Sequence, residues 1–209
     1  MDVHAPHQPV HTWRDFFTHI VIITIGLFIA LMLEAGVEWL HHRHLLHQAE
    51  ANLRAEITDN RTQLTFDLRQ IDGMEHELAA NIDTLNTVKA HQTAAQTLTF
   101  RWAWNGMESA AWDTARDTGA LALMPYDRVQ SYASIYAQQS TVGEQFTVFM
   151  HDFYRSSAPA RDGRKPTDLQ PAELDAMIAN SQLALADLKY LRDLSESLGR
   201  IYAHQSANL

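Results

Sequence analysis

Residues Phe16 to Leu33 read FFTHIVIITIGLFIALML. Thr18, His19 and Thr24 are the only clearly polar side chains in these 18 positions. A helix of about 20 apolar residues crosses the hydrocarbon core of a bilayer, so this stretch, extended through Ala35, Gly36 and Val37 to Leu40, predicts one membrane span over 13–40. Trp13, Phe16 and Phe17 flank one end and Trp39 the other, where aromatic rings favour the membrane–water interface. A cleaved secretory signal has a shorter apolar core, a more basic start and a small-residue cleavage site, none of which is present. The span therefore reads as retained, preceded by a tail over 1–12 that is too short for an output domain.

Three residues of the span invite association. Gly26 and Ala30 form a small-xxx-small pair that permits close approach of a second helix. Glu34 lies about 7 Å below Trp39, at 1.5 Å of rise per residue. An acid there either serves a proton path or pairs with a partner subunit, or else it snorkels to the nearby interface or meets His42 or Arg43 of a neighbouring chain. His19, near the start of the span, reads as a shallow polar residue. A haem on it would need a second ligand from another chain.

Downstream the apolar residues fall at steps of three, four and seven, the pattern of an amphipathic helix near heptad register. Leu53, Ile57, Leu64, Leu68, Ile71, Leu78 and Ile82 form one stripe, which predicts a long stalk helix over 41–95 with Gly73 as a weak point. Asn60 falls near the stripe, where a buried polar residue fixes register. An isolated helix of this length is not stable in water, so the stripe needs partners. Residues 96–209 supply them. TAAQTLTFRWAW (93–104) reads as a loop with aromatic anchors. Asn105 with Glu108 resembles a capping box for a short helix that stops at Gly119. Pro125 opens the next helix, faced by Tyr132, Tyr136 and Phe146, with Gly143 as its weak point. Residues 156–170 (SSAPARDGRKPTDLQ) read as a linker. Pro171 and Glu173 begin a last helix striped by Leu188, Leu191 and Leu198. The fold class is all-α: an N-terminal transmembrane helix continuing into a long amphipathic helix, then a helical bundle.

Composition excludes several functions. Cysteine is absent, which removes disulfides, zinc–thiolate sites and thiol nucleophiles. The net charge of −9 and the absence of a basic cluster argue against nucleic acid as a partner. No nucleophile elbow, phosphate loop, dinucleotide fingerprint or HExxH occurs, so the chain reads as a non-enzyme without a cofactor. Twelve His are present, and Glu38, His41, His44 and His47 have spacings that imidazole–carboxylate metal sites use. One helix cannot close a coordination sphere, so a histidine belt at the headgroups is the alternative. Trp102, Trp104 and Trp112 either plug a bundle end or line a pocket for a small ligand. The expected partners are the bilayer, and other copies of the chain or a larger membrane complex.

The order of ITIGLFIALMLEAGVEW (23–39), EANLRAEITDNRTQL (50–64) and SAAWDTARDTGALALMPYDRVQSYASIY (109–136) resembles a family of uncharacterised bacterial single-pass membrane proteins. Its members share a short N-terminal tail, an I-G-x-x-I-A-L-like span, here Gly26 to Leu31, and a small–aromatic–small segment followed by G-x-L, here Ala110 to Leu121. The resemblance implies an inner-membrane location, a cytoplasmic N-terminus and a periplasmic helical domain. It carries over no catalytic residues.

Overall fold

The computed structural model describes residues 13–91, 97–161 and 163–205. Within them the chain is predominantly helical, with no strand. Four α-helices follow in order: α1 (Trp13–Lys89), α2 (Ala110–Asp117), α3 (Tyr126–Arg161) and α4 (Pro171–Gln205), with 3₁₀ turns at Ala120–Leu123 and Pro166–Asp168. The chain divides into two compact units, one up to Gln48 and one from Ala49 to Leu209. α1 contributes to both. The predicted tail 1–12 lies outside the described residues.

In the first unit, α1 is long and apolar enough to cross a membrane, and its apolar window is entirely unburied by the protein. In the second unit, α1 from Ala49 onward, α3 and α4 bury their apolar faces against one another. Lys89 pairs with Asp175, and Arg192 pairs with both Asp72 and Glu75, which fixes α4 antiparallel to α1. Arg128 pairs with Glu50, and Tyr136 bonds to Glu56, so α3 runs parallel to α1. The seams keep heptad steps: Leu174, Met177, Ser181, Ala184, Leu188, Leu191, Ser195, Leu198 and Tyr202 of α4 are all buried. Leu85, Leu169, Leu174, Met177 and Ile178 close one end of the core.

Most predicted core positions are buried: Leu53, Ile57, Leu64, Ile71, Leu78, Tyr132, Tyr136, Leu188, Leu191 and Leu198. Leu68, Ile82 and Phe146 are only half-buried. For the first two the reason is local. The seam positions beside them belong to the polar residues Asp67 and Asn81, which are 0% and 3% exposed. Phe146 is covered from outside by Trp104, whose ring stacks on it at 4.8 Å.

Three boundaries and two expected weak points differ from expectation. The stalk helix ends at Lys89 rather than at 95, with His91 at φ 56°, and it passes Gly73 without a break. α3 likewise continues through Gly143. Asn105 caps nothing, because α2 begins at Ala110. The linker 156–170 is too long at its start, since α3 continues to Arg161 with Pro159 inside it. Ser156 and Ser157 are buried there, their hydroxyls donating to the carbonyls of Phe153 and Tyr154, so polar residues sit inside a packed helix at little cost. Gly119 does stop α2, at φ 77°, a conformation that only glycine adopts freely. Pro171 begins α4, where the Glu173 carboxylate accepts from the Gln170 N–H as half of a capping box.

Candidate functional site

Two features of the molecule lack a purely structural explanation, one in each unit. The first is the exposed apolar face of α1. Its large side chains from Phe16 to Leu40 are about half exposed or more, on every side of the helix. The polar residues within it satisfy themselves: Thr18 Oγ1 donates to the Arg14 carbonyl at 2.9 Å, and His19 Nδ1 lies 2.7 Å from the Asp15 carbonyl. Trp13 lies against Phe16 and Phe17, and the Arg43 guanidinium sits 5.3 Å over the Trp39 ring. Trp13 and Trp39 are 26 residues apart, about 39 Å along the axis. Gly26, Ala30 and Glu34 are exposed, and a side chain added at Gly26 would meet nothing within 4 Å.

The histidine cluster does not assemble into a site. Glu38, His41, His44 and His47 are exposed along a single helix, where His42 Nε2 lies 3.9 Å from Glu38 and the His41 and His42 rings lie 6.2 Å apart. Among the described residues no three His, Asp or Glu side chains gather to hold a metal.

The second feature is the crossover between α1 and α3. Parallel helices need a connection that returns along the bundle, and residues 97–109 make it as extended chain against α1. Asn81 grips Thr99 by both backbone groups: its Nδ2 donates to the carbonyl at 2.6 Å, and its Oδ1 accepts from the N–H at 2.9 Å. Asn60 grips Glu108 identically, at 2.7 and 2.8 Å. Between them, Asp67 Oδ1 accepts from the Asn105 N–H at 3.2 Å. Burial pushes the Asp67 carboxyl up, while hydrogen bonds from the Asn105 N–H, the Gln63 side chain and the Gly106 N–H pull the other way. The register has a simple metric. Asn60 and Asn81 are 21 helical residues apart, about 31 Å, and the nine residues from Thr99 to Glu108 cover about 30 Å only when nearly extended, with one turn at Gly106, at φ 73°. Asn60, Asp67 and Asn81 share one heptad position, so they lie in line beneath the strap.

The other face of the strap carries aromatic rings onto α3. Phe100 meets Phe153 edge-on at 5.9 Å, and Trp102 and Trp104 lie 6.1 and 4.8 Å from Phe146. Leu98, Phe100, Trp102 and Trp104 alternate with Thr99, Arg101 and Ala103, the period of extended chain, and that signal in the sequence escaped the reading of a plain loop.

The strap delivers the chain to α2, where one carboxylate joins three elements. Glu56 Oε2 accepts from the Ala111 N–H at 2.8 Å, and Oε1 accepts from the Tyr136 hydroxyl at 2.7 Å. Burial and this bond push the Tyr136 phenol up, so it stays a donor. Trp112 of α2 stacks on Tyr136 with ring centroids 5.2 Å apart. The expected trio of tryptophans is thereby divided. Trp112 lines a half-open cavity of about 630 Å³ between α2 and α3, Trp102 lines a separate one of about 330 Å³ beside Arg101, and Trp104 stacks on Phe146.

Compared with known proteins, the chain matches no protein-family model, no curated protein and no solved structure.

Proposed function

We propose that the protein is a single-pass, membrane-anchored helical protein without catalytic activity, a scaffold or accessory subunit that mediates protein–protein association at the membrane. The observation that carries this reading is the apolar run of α1, unburied on all sides and longer than 18 residues. Exposed in water, so large an apolar surface is a liability, whereas in a bilayer it is solvated. The distance of about 39 Å between Trp13 and Trp39 fits interfaces on both sides of a hydrocarbon core of about 30 Å. Its partners are the lipid bilayer and either further copies of the chain or a larger membrane complex. Gly26, Ala30 and Glu34 are the intramembrane candidates for such contacts.

We place it in the bacterial inner membrane, with the N-terminus cytoplasmic and the bundle periplasmic, as in the single-pass family that the sequence resembles. Residues 41–209 carry 15 basic and 21 acidic side chains, a balance that keeps the bundle soluble and off an anionic lipid surface. The test is gentle detergent extraction of native membranes, crosslinking, and mass spectrometry of the intact assembly. Recovery with a stoichiometric neighbour or as an oligomer is the expected result. Release into the soluble fraction, or a monomer without neighbours, overturns the reading.

A further inference from the structure

The strap over 97–109 is held down by three residues of α1 at one heptad position, and the middle one differs from the other two in a single heavy atom. Asn60 and Asn81 are amides, and each offers the strap both an acceptor and a donor. Asp67 has a second oxygen in place of the amide nitrogen. The Asn105 N–H, at 3.2 Å, and Gln63 Nε2, at 3.0 Å, both bond to Oδ1. Oδ2 is buried without a hydrogen-bond partner, and the whole residue is 0% exposed. Buried acceptors are ordinarily paired, and a stranded charged one costs more than a stranded neutral one.

No counter-charge offsets that cost. The groups that act on the carboxyl are the Gln63 amide from α1 and the Asn105 and Gly106 N–H groups from the strap. Among the described residues, no Lys, Arg, His, Asp or Glu of any helix acts on it. Burial is the larger influence and favours the neutral acid. A proton on Oδ2 removes the buried charge and gives Asp67 a donor, as the amides at 60 and 81 have. Packing does not demand an acid here, since asparagine has the same shape and already serves at those two positions. What an acid adds is a response to pH, which an amide lacks.

We propose that Asp67 is a proton-operated latch on the crossover strap: as the neutral acid it lets residues 100–107 lie closed on α1, and as the carboxylate it loosens them. The clasps at Thr99 and Glu108 hold the two ends, so the loosening is confined to the stretch between them. That stretch carries Trp104, whose ring covers Phe146 of α3 at 4.8 Å. Opening therefore uncovers an aromatic surface on the bundle, and acid covers it. A carboxyl raised in the folded state contributes its stability in full below the ordinary value of 3.8, and that stability disappears as pH rises through the higher folded-state value. The Arg101–Glu77 pair on the same strap responds in the opposite sense, since protonating Glu77 breaks it. Every residue involved belongs to the second unit, so the latch does not depend on the membrane reading.

Hydrogen exchange of the full-length protein in detergent, followed by mass spectrometry from about pH 4.5 to about pH 8.5 and corrected for the intrinsic pH dependence of exchange, tests the latch. In the unaltered protein, protection over 100–107 should fall at least about fivefold from the acid to the alkaline end, the equivalent of one stranded buried acceptor. Asp67→Asn should keep the acid-end protection at every pH. The same variant should raise the urea midpoint more at about pH 8 than in acid. Strap protection in the unaltered protein that is independent of pH, or that rises with pH, overturns the proposal. So does a pH dependence that survives in Asp67→Asn. A variant that fails to fold also overturns it, because a neutral residue of the same shape should hold the strap at least as well.

Discussion

Replacing Asn60 by Ala isolates the clasp that holds the crossover strap. Asn60 is 2% exposed, and its amide makes two hydrogen bonds to the backbone of Glu108, at 2.7 and 2.8 Å. Each is worth about 1 kcal/mol net, so their loss costs about 2 kcal/mol. The Glu108 N–H, at a partly exposed residue, is then left without its partner, which adds up to about 1–3 kcal/mol to the extent that water does not reach it. The Glu108 carbonyl keeps the longer bond from Gln139, at 3.3 Å, and so is not stranded. The expected total is about 2–4 kcal/mol, allowing for partial access of water to the exposed edge of the strap. Urea unfolding of the detergent-solubilised protein, followed by helical circular dichroism, gives the magnitude. Hydrogen exchange over 97–109 gives the location, with faster exchange expected in the strap and protection retained in the α4 seam. Asn86, exposed on the same helix, is the control, and its change to Ala should stay within about 0.5 kcal/mol. If Asn60→Ala also stays within about 0.5 kcal/mol and exchange in the strap is unaltered, the clasp has no energetic role and the reasoning fails.

Leu188 and Leu191 are fully buried, so truncating either to Ala should cost about 2–4 kcal/mol in the same urea titration. A cost of a few tenths would place that face in solvent. Glu173 is held down to about 2 from 4.5, first by hydrogen bonds from Arg164 and then by the Gln170 N–H. Because the folded-state value is the lower one, its stabilisation is complete above about pH 4.5 and disappears as pH falls towards about 2. Glu173→Gln should flatten that stretch of an acid-unfolding curve, and an unchanged profile would show the pair to be inert. Within the apolar segment, Gly26→Leu and Ala30→Leu should weaken helix association, read as a shift towards monomer in both detergent and lipid. An unaltered distribution removes that face as an interface.

How much of this was legible beforehand varies by element. The apolar run 16–33 and its aromatic flanks are composition effects, so position along the chain was enough to find them. The helices α3 and α4 announce themselves through Pro125 and Pro171 at their starts and the spacing of their leucines and aromatics. Apolar periodicity in α1 points to Leu68 and Ile82, whereas the buried seam runs through Asp67 and Asn81. A search for apolar periodicity passes over polar residues, although here they occupy the seam. Asn60 was recognised as a possible register device, but its partner is a backbone segment 48 residues away rather than another helix. The end of α3 was missed because Ser156, Ser157 and Pro159 read as loop residues, and only burial and back-bonding make them helical.

The sequence by itself determined which segments are helical and which one is too apolar for water. Both follow from side-chain chemistry at fixed periods, and period is a property of neighbours in the chain. The tertiary structure alone decided that α1 and α3 run parallel. It therefore decided that residues 97–109 must return as extended chain and that Asn60, Asp67 and Asn81 face that chain. It also decided that the strap ends where Trp112, Glu108 and Gln139 meet around a cavity. Hydrogen bonds across 18 to 55 residues depend on which helices lie side by side, and no local pattern encodes that choice.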